Sequence, residues 1–238
     1  MTRRPTRHRK TRLARLRNRH TFRLGLLATA CLGAIGTAAG AAQAVGAGAG
    51  LSGVAVADDI STSLANPGHQ NRFDDSFAVH QFGTVYAGSV RNQATAESVA
   101  CTADNPCRSV SISFQIDTLA GENVHLNAVN LSNADNEHCD GCQTLASAYQ
   151  FVVSTPAPFA LSPAAQSQLA AIHAQLDALS TSTAPVAQVQ AQIDALAGQV
   201  TTILQTAAAN APAVAAGPTT NAPMFQPTVT VHRMFNQN

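Results

Sequence analysis

Arg108 to Asp117 alternates without a fault. Val110, Ile112, Phe114 and Ile116 fall on one side and Ser109, Ser111, Ser113 and Gln115 on the other. A period of two with four apolar residues on one face is the pattern of a half-buried β-strand and excludes a helix there. Val79 to Tyr86, Val124 to Leu131 and Ala148 to Ser154 carry weaker versions of it. Gly121 and Asp140-Gly141 supply turn chemistry between them. The connections are too short for crossover helices, so the spacing predicts an antiparallel sheet. Large core-forming residues concentrate between Phe73 and Phe159, and that stretch, 73–160, is the expected β domain.

After Pro163 the period changes. Leu169, Ile172, Leu176 and Leu179 recur at helical steps, and so do Val186, Val189, Ile193, Leu196, Val200 and Ile203. Ser162-Pro163 reads as N-cap and first helical position. Two helices separated by 180–185 predict a helical hairpin over 162–208, with coiled-coil character if its seams meet a second chain. The seams have three candidate partners: each other, the sheet, or a second copy, so self-association through the helices is one route to an oligomer. The fold class expected is therefore α+β, a small antiparallel β domain followed by a helical hairpin.

The flanks differ in composition. Ten of the fourteen Lys and Arg residues lie in the first 23 positions, which hold none of the thirteen Asp and Glu residues. An uncharged run from Leu24 to Ala57 follows. A basic head before an apolar run is the pattern of an export signal, and the densely apolar part, Leu24 to Ile35, suits a signal h-region. Small-residue exit sites stand at Ala42-Gln43-Ala44 and Ala55-Val56-Ala57; cleavage after Ala44 is the favoured reading, making 1–44 a signal peptide. The alternative keeps the run as a single-pass anchor with residues 1–23 cytoplasmic. Residues 45–72, rich in Gly, Ala, Ser and Asn, read as a flexible spacer. Residues 209–238 read as a low-complexity, disordered tail, within which Thr228 to Phe235 is compatible with one more strand.

Beyond the head the chain is acidic: Arg72, Arg91, Arg108 and Arg233 stand against all thirteen carboxylates. Such a body repels polyphosphate, so no nucleic-acid partner is expected. A membrane is expected to be met only through the N-terminal segment.

Four Cys follow the signal region: Cys101, Cys107, Cys139 and Cys142. An even number in an exported chain with a modest core predicts a disulfide framework. Three pairings exist; the local one, Cys101 with Cys107 and Cys139 with Cys142, is preferred because each pair brackets its own turn. Cys139-Asp140-Gly141-Cys142 also has the spacing of a thiol–disulfide oxidoreductase, but Asp135, Glu137 and Asp140 would raise a thiol pKa, with His138 alone to lower it. Zinc on the four Cys, with His138 as a substitute ligand, is the third option, against which the five residues between Cys101 and Cys107 count. Asn133, Asp135, Asn136, Glu137 and Asp140 offer calcium-type oxygens without EF-hand spacing, and read as a solvated loop. His69, His80, His125, His173 and His232 stand singly and are expected at the surface or in strands. No Gly-x-Ser-x-Gly and no phosphate-binding Gly loop occurs. No catalytic residue, no metal and no cofactor is assigned.

Cys107-Arg108-Ser109-Val110-Ser111-Ile112-Ser113-Phe114-Gln115-Ile116, followed by Cys139-Asp140-Gly141-Cys142 and the strand Gln143 to Val153, resembles a bacterial extracytoplasmic module that pairs Cys residues around β-strands. The same module occurs in the soluble part of proteins described as peptide zinc metalloproteases. The similarity runs from near Asn92 to near Pro158 and implies export and a Cys-stapled β module. The protease motif of that class, His-Glu-x-x-His in a membrane domain, is absent from this chain, so no protease activity is implied. The function expected is that of an exported, non-catalytic cell-envelope or secreted interaction module with a protein or envelope partner.

Overall fold

The computed structural model describes residues 53–212 and 226–238. The basic head and most of the apolar run, and with them the choice between signal peptide and anchor, lie outside these residues. Their elements run β1 (Val54–Ala65), β2 (Asn71–Thr84), β3 (Ala87–Val99), β4 (Arg108–Ala120), β5 (His125–Glu137), β6 (Gln143–Thr155), α1 (Pro163–Ala178), α2 (Val186–Ala209) and β7 (Thr228–Gln237).

The first six strands alternate between two sheets. β1, β3 and β5 form one sheet; β2, β4, β6 and β7 form the other. All neighbours are parallel except β6 and β7, which are antiparallel. The chain thus winds through three coils, each with one strand in each sheet, and β7 returns to cover the β6 edge. This corrects the antiparallel expectation. Short connections rule out parallel neighbours only when consecutive strands share a sheet. Here each connection passes to the opposite sheet, and the crossover between parallel partners is itself a strand. Val85 and Tyr86 suffice to join β2 to β3.

One further expectation is corrected: the supposed spacer 45–72 contains all of β1 and the start of β2. Within the tail, the strand compatible with Thr228 to Phe235 forms as β7. The β unit accordingly begins at Val54, ahead of Phe73.

The second sheet is the middle layer, and its two faces pack by different chemistry. Outward, Val110, Ile112, Phe114, Ile116, Leu145, Tyr149, Phe151 and Val153 meet the helices through Leu169, Ile172, Leu176, Val189, Ile193, Val200 and Leu204. Phe77, Phe114 and Tyr149 are register partners on successive strands; Phe77 stacks on Phe114 and Tyr149 is tilted against it, with centroids 5.8 and 4.8 Å apart. The helical seams are thus used on each other and on this sheet. Ser162 caps α1 by accepting from Ala165 N at 3.2 Å, and Pro163 takes the first turn.

Inward, the face predicted to meet solvent is buried. Ser109, Ser111, Ser113, Gln115 and Asp117 have no exposed surface, so β4 is covered on both sides. They face Ser61, Ser63 and Asn92 of the first sheet. Ser111 Oγ lies 2.7 Å from Ser61 Oγ, Ser109 donates to Ser63 Oγ at 2.9 Å, and Ser113 donates to Asn92 Oδ1 at 2.5 Å. Buried hydroxyls are tolerated because each is bonded. Ala94, Ala96, Ala134, Ala146 and Ala148 fill the remaining space between the sheets. Toward the opposite end the gap is closed by Ala55, Val85, Leu119 and Val152. Gly121 turns the chain there at φ +150°, where a Cβ would stand 2.5 Å from Val85 O.

Candidate functional site

Four features carry chemistry or contact potential, and they lie in different parts of the layers.

The first is a sulfur corner. Cys101 pairs with Cys107 across the β3–β4 turn, and Cys139 with Cys142 across the β5–β6 turn. The turns stack: Asp140 N donates to Cys101 O at 3.3 Å, and Cys107 N donates to Cys142 Sγ at 3.3 Å. Ala65 of β1 completes the cluster. Gly141, at φ +73°, makes the tight β5–β6 turn. Cys142 leads into a strand, not a helix, so no helix dipole lowers a thiol pKa here. The sulfurs of Cys101, Cys139 and Cys142 lie within 4.8 Å of one another, but paired sulfurs offer no thiolates to zinc. His138 is exposed and 3.7 Å from Glu137. Asn133, Asp135 and Glu137 project from one face of β5 while Asn136 turns inward to accept from Thr144, so these oxygens do not converge. Replacing Cys139 and Cys142 together by Ser should lower stability by about 2 kcal/mol, as expected for so small a closed loop, without loss of the fold. Urea denaturation checks this; complete unfolding of the variant would contradict a stapling role confined to the turn.

The second feature was not anticipated. Asp59, His80, Gln115, Asp117 and Gln150 form a polar cluster between the sheets. Asp59 Oδ2 receives His80 Nε2 at 2.8 Å and Gln115 Nε2 at 2.6 Å, and Gln150 Nε2 donates to Gln115 Oε1 at 2.6 Å. The hydrogen bond to Asp59 raises the His80 pKa against the opposing effect of burial. Asp117, fully buried beside His80, has no hydrogen-bond partner on either oxygen among the described residues. Burial pushes its carboxyl up to about 7; the positive charge of His80 works against this and Asp59 adds to it. The cluster holds a proton-binding group buried between the sheets, and among the described residues no nucleophile stands against His80. Gln115 and Gln150 are register partners, a recurrence between coils that the sequence already displays.

The third is Asp75, His173 and Asp177, on β2 and α1, whose donor atoms lie within 4.8 Å of one another. Hydrogen bonding to Asp75 raises the His173 pKa, and burial followed by the Asp75 charge raises that of Asp177. Of the histidines expected to stand singly, His80 and His173 thus have carboxylate partners.

The fourth is a surface. On the outward face of β1, an edge strand, Val56, Ile60 and Leu64 are 69%, 52% and 47% exposed. Tyr86 and Leu131 are exposed as well. Asp74 accepts the Thr62 N–H at 2.7 Å. A carboxylate against an edge N–H guards it from strand addition.

No helix among the described residues is long and apolar enough to cross a membrane. Comparison of the chain with family models, with curated proteins and with solved structures gave no match.

Proposed function

We propose that this is an exported, non-catalytic cell-envelope or secreted module that binds a protein or envelope partner through the outward face of its first sheet. The observation that carries the reading is the set Val56, Ile60 and Leu64, three large exposed apolar side chains at every second outward position of an edge strand, with Asp58 and Thr62 between them. Large apolar side chains recurring along one face of a strand, spaced by polar ones, offer a partner matching apolar contacts at a two-position spacing. With Asp74 against Thr62 N–H, the contact is made by side chains more than by a free backbone ladder. Two disulfides fit an oxidising compartment, as does the basic head before an apolar run. Likeness to the Cys-paired extracytoplasmic module agrees with this.

A photoreactive amino acid placed at Ile60 in the full chain, expressed in its own cells, tests the surface. A discrete, light-dependent adduct is expected at Ile60 and none at Gln175, an exposed position on α1 in the opposite layer. Equal labelling at both, or none at Ile60, would refute this contact face.

A further inference from the structure

We infer that Asp75, His173 and Asp177 form a binding site for one divalent transition ion of the zinc class, joining α1 to the β2 edge of the second sheet. Asp75 lies on the helix-facing side of β2 between Phe73 and Phe77, and among the described residues no strand pairs with the outer edge of β2. His173 and Asp177 are one helical turn apart on α1, so both side chains leave the same face of the helix. His173 Nε2 lies 3.1 Å from Asp75 Oδ2 and 3.5 Å from Asp177 Oδ1. Donors bound at about 2.0–2.2 Å around a tetrahedral ion stand roughly 3.3–3.6 Å apart. With all three donor atoms already within 4.8 Å of one another, side-chain rotation brings them to an ion's reach.

The donor types select the ion. One imidazole nitrogen and two carboxylate oxygens suit zinc and its neighbours, whereas calcium and magnesium favour oxygen alone. Phe77 stacks on the His173 ring at 5.0 Å and 16°, which fixes the plane in which Nε2 is presented. Among the described residues both carboxylates have ion pairs only with His173. One imidazolium cannot neutralise two carboxylates, and a divalent ion does. Asp177 is 57% exposed on its side chain, which leaves an entry path and room for water in the remaining position. Distance in sequence gives the site its effect: Asp75 and His173 are 98 residues apart, so a bound ion ties the last layer of the fold to its first coils.

Zinc chloride titrated calorimetrically into the purified, oxidised protein at pH 7.5 is the test. Cobalt absorption and the imidazole NMR signals of His173 serve as local readouts. One equivalent is expected to bind, shifting the His173 signals and raising the melting temperature. Asp177→Asn, at an exposed position that does not endanger folding, should weaken binding at least about tenfold, and His173→Gln should abolish it. No saturable binding, or equal binding by wild type and both variants, would overturn the inference. So would binding that leaves the His173 signals unmoved.

Discussion

Phe114→Ala is expected to cost about 3–5 kcal/mol, because it empties the centre of the sheet–helix core. Phe114 is fully buried on β4, the central strand of the coils, and its ring touches Phe77, Tyr149 and Phe151 at 5.8, 4.8 and 5.7 Å. Neither neighbouring coil can close the gap without giving up its own register, since Phe77 and Tyr149 are the register partners of Phe114 on the strands either side. Against a typical total of about 5–15 kcal/mol, the loss is a large share of stability. Urea denaturation should show the midpoint falling while the slope holds. A change under about 1 kcal/mol would mean that the helices do not seal this face.

Asp117→Asn should act in the opposite direction at neutral pH. The folded protein holds this carboxyl at about 7 against an ordinary 3.8. Below 3.8 the group is protonated in both states, so its ionisation has no effect on stability. As pH rises from there, the unfolded chain ionises first, so stability is lost progressively until the folded carboxyl also ionises near 7. The full loss is about 4 kcal/mol at most. His80 adds a smaller term of the same sign, since its raised pKa favours the folded state in acid and that benefit fades as it deprotonates. The Asn variant should therefore gain on wild type steadily between about pH 4 and 7 and stay ahead above that. Denaturation curves for the two proteins across this range are the check. Parallel curves would mean that Asp117 is not buried between the sheets.

Why the strands around Phe114 were legible, and their neighbours not, follows from what each side chain packs against. Arg108 to Asp117 announced β4 because large apolar residues meet the helices on one side. Helix seams, Ser162, the local Cys pairs and the strand near Thr228 were legible for similarly local reasons. β1 resembled a spacer because its inward positions, Ala55, Ala57, Ser61, Ser63 and Ala65, are small enough for two sheets to lie close together. Small and hydroxylated residues look like linker until a second row of them, Ser109, Ser111 and Ser113, is placed opposite. That same placement explains why a face read as solvated is buried.

Parallel pairing was hidden because it depends on which sheet a turn leads to, and turn residues do not encode that. One signal was available. The offset from Cys101 to Cys139 equals that from Ala87 to His125, and the offset from Cys107 to Cys142 equals that from Arg108 to Gln143. Repeated Cys positions at the register spacing are the mark of coils. The Asp59–His80–Asp117 cluster and the Asp75–His173–Asp177 group had no such mark, since each joins residues from separate elements.

The central claim, an exported scaffold whose cysteines are structural, is tested most directly by intact mass of protein recovered from its native compartment and alkylated before or after reduction. The expected result is a mass beginning near Val45, no alkylation before reduction and four added groups after it, on Cys101, Cys107, Cys139 and Cys142. Ready alkylation of Cys139 or Cys142 in the unreduced protein would contradict it and make that pair a redox centre. A mass that retains the first 44 residues would make the chain an anchored protein in place of a secreted one.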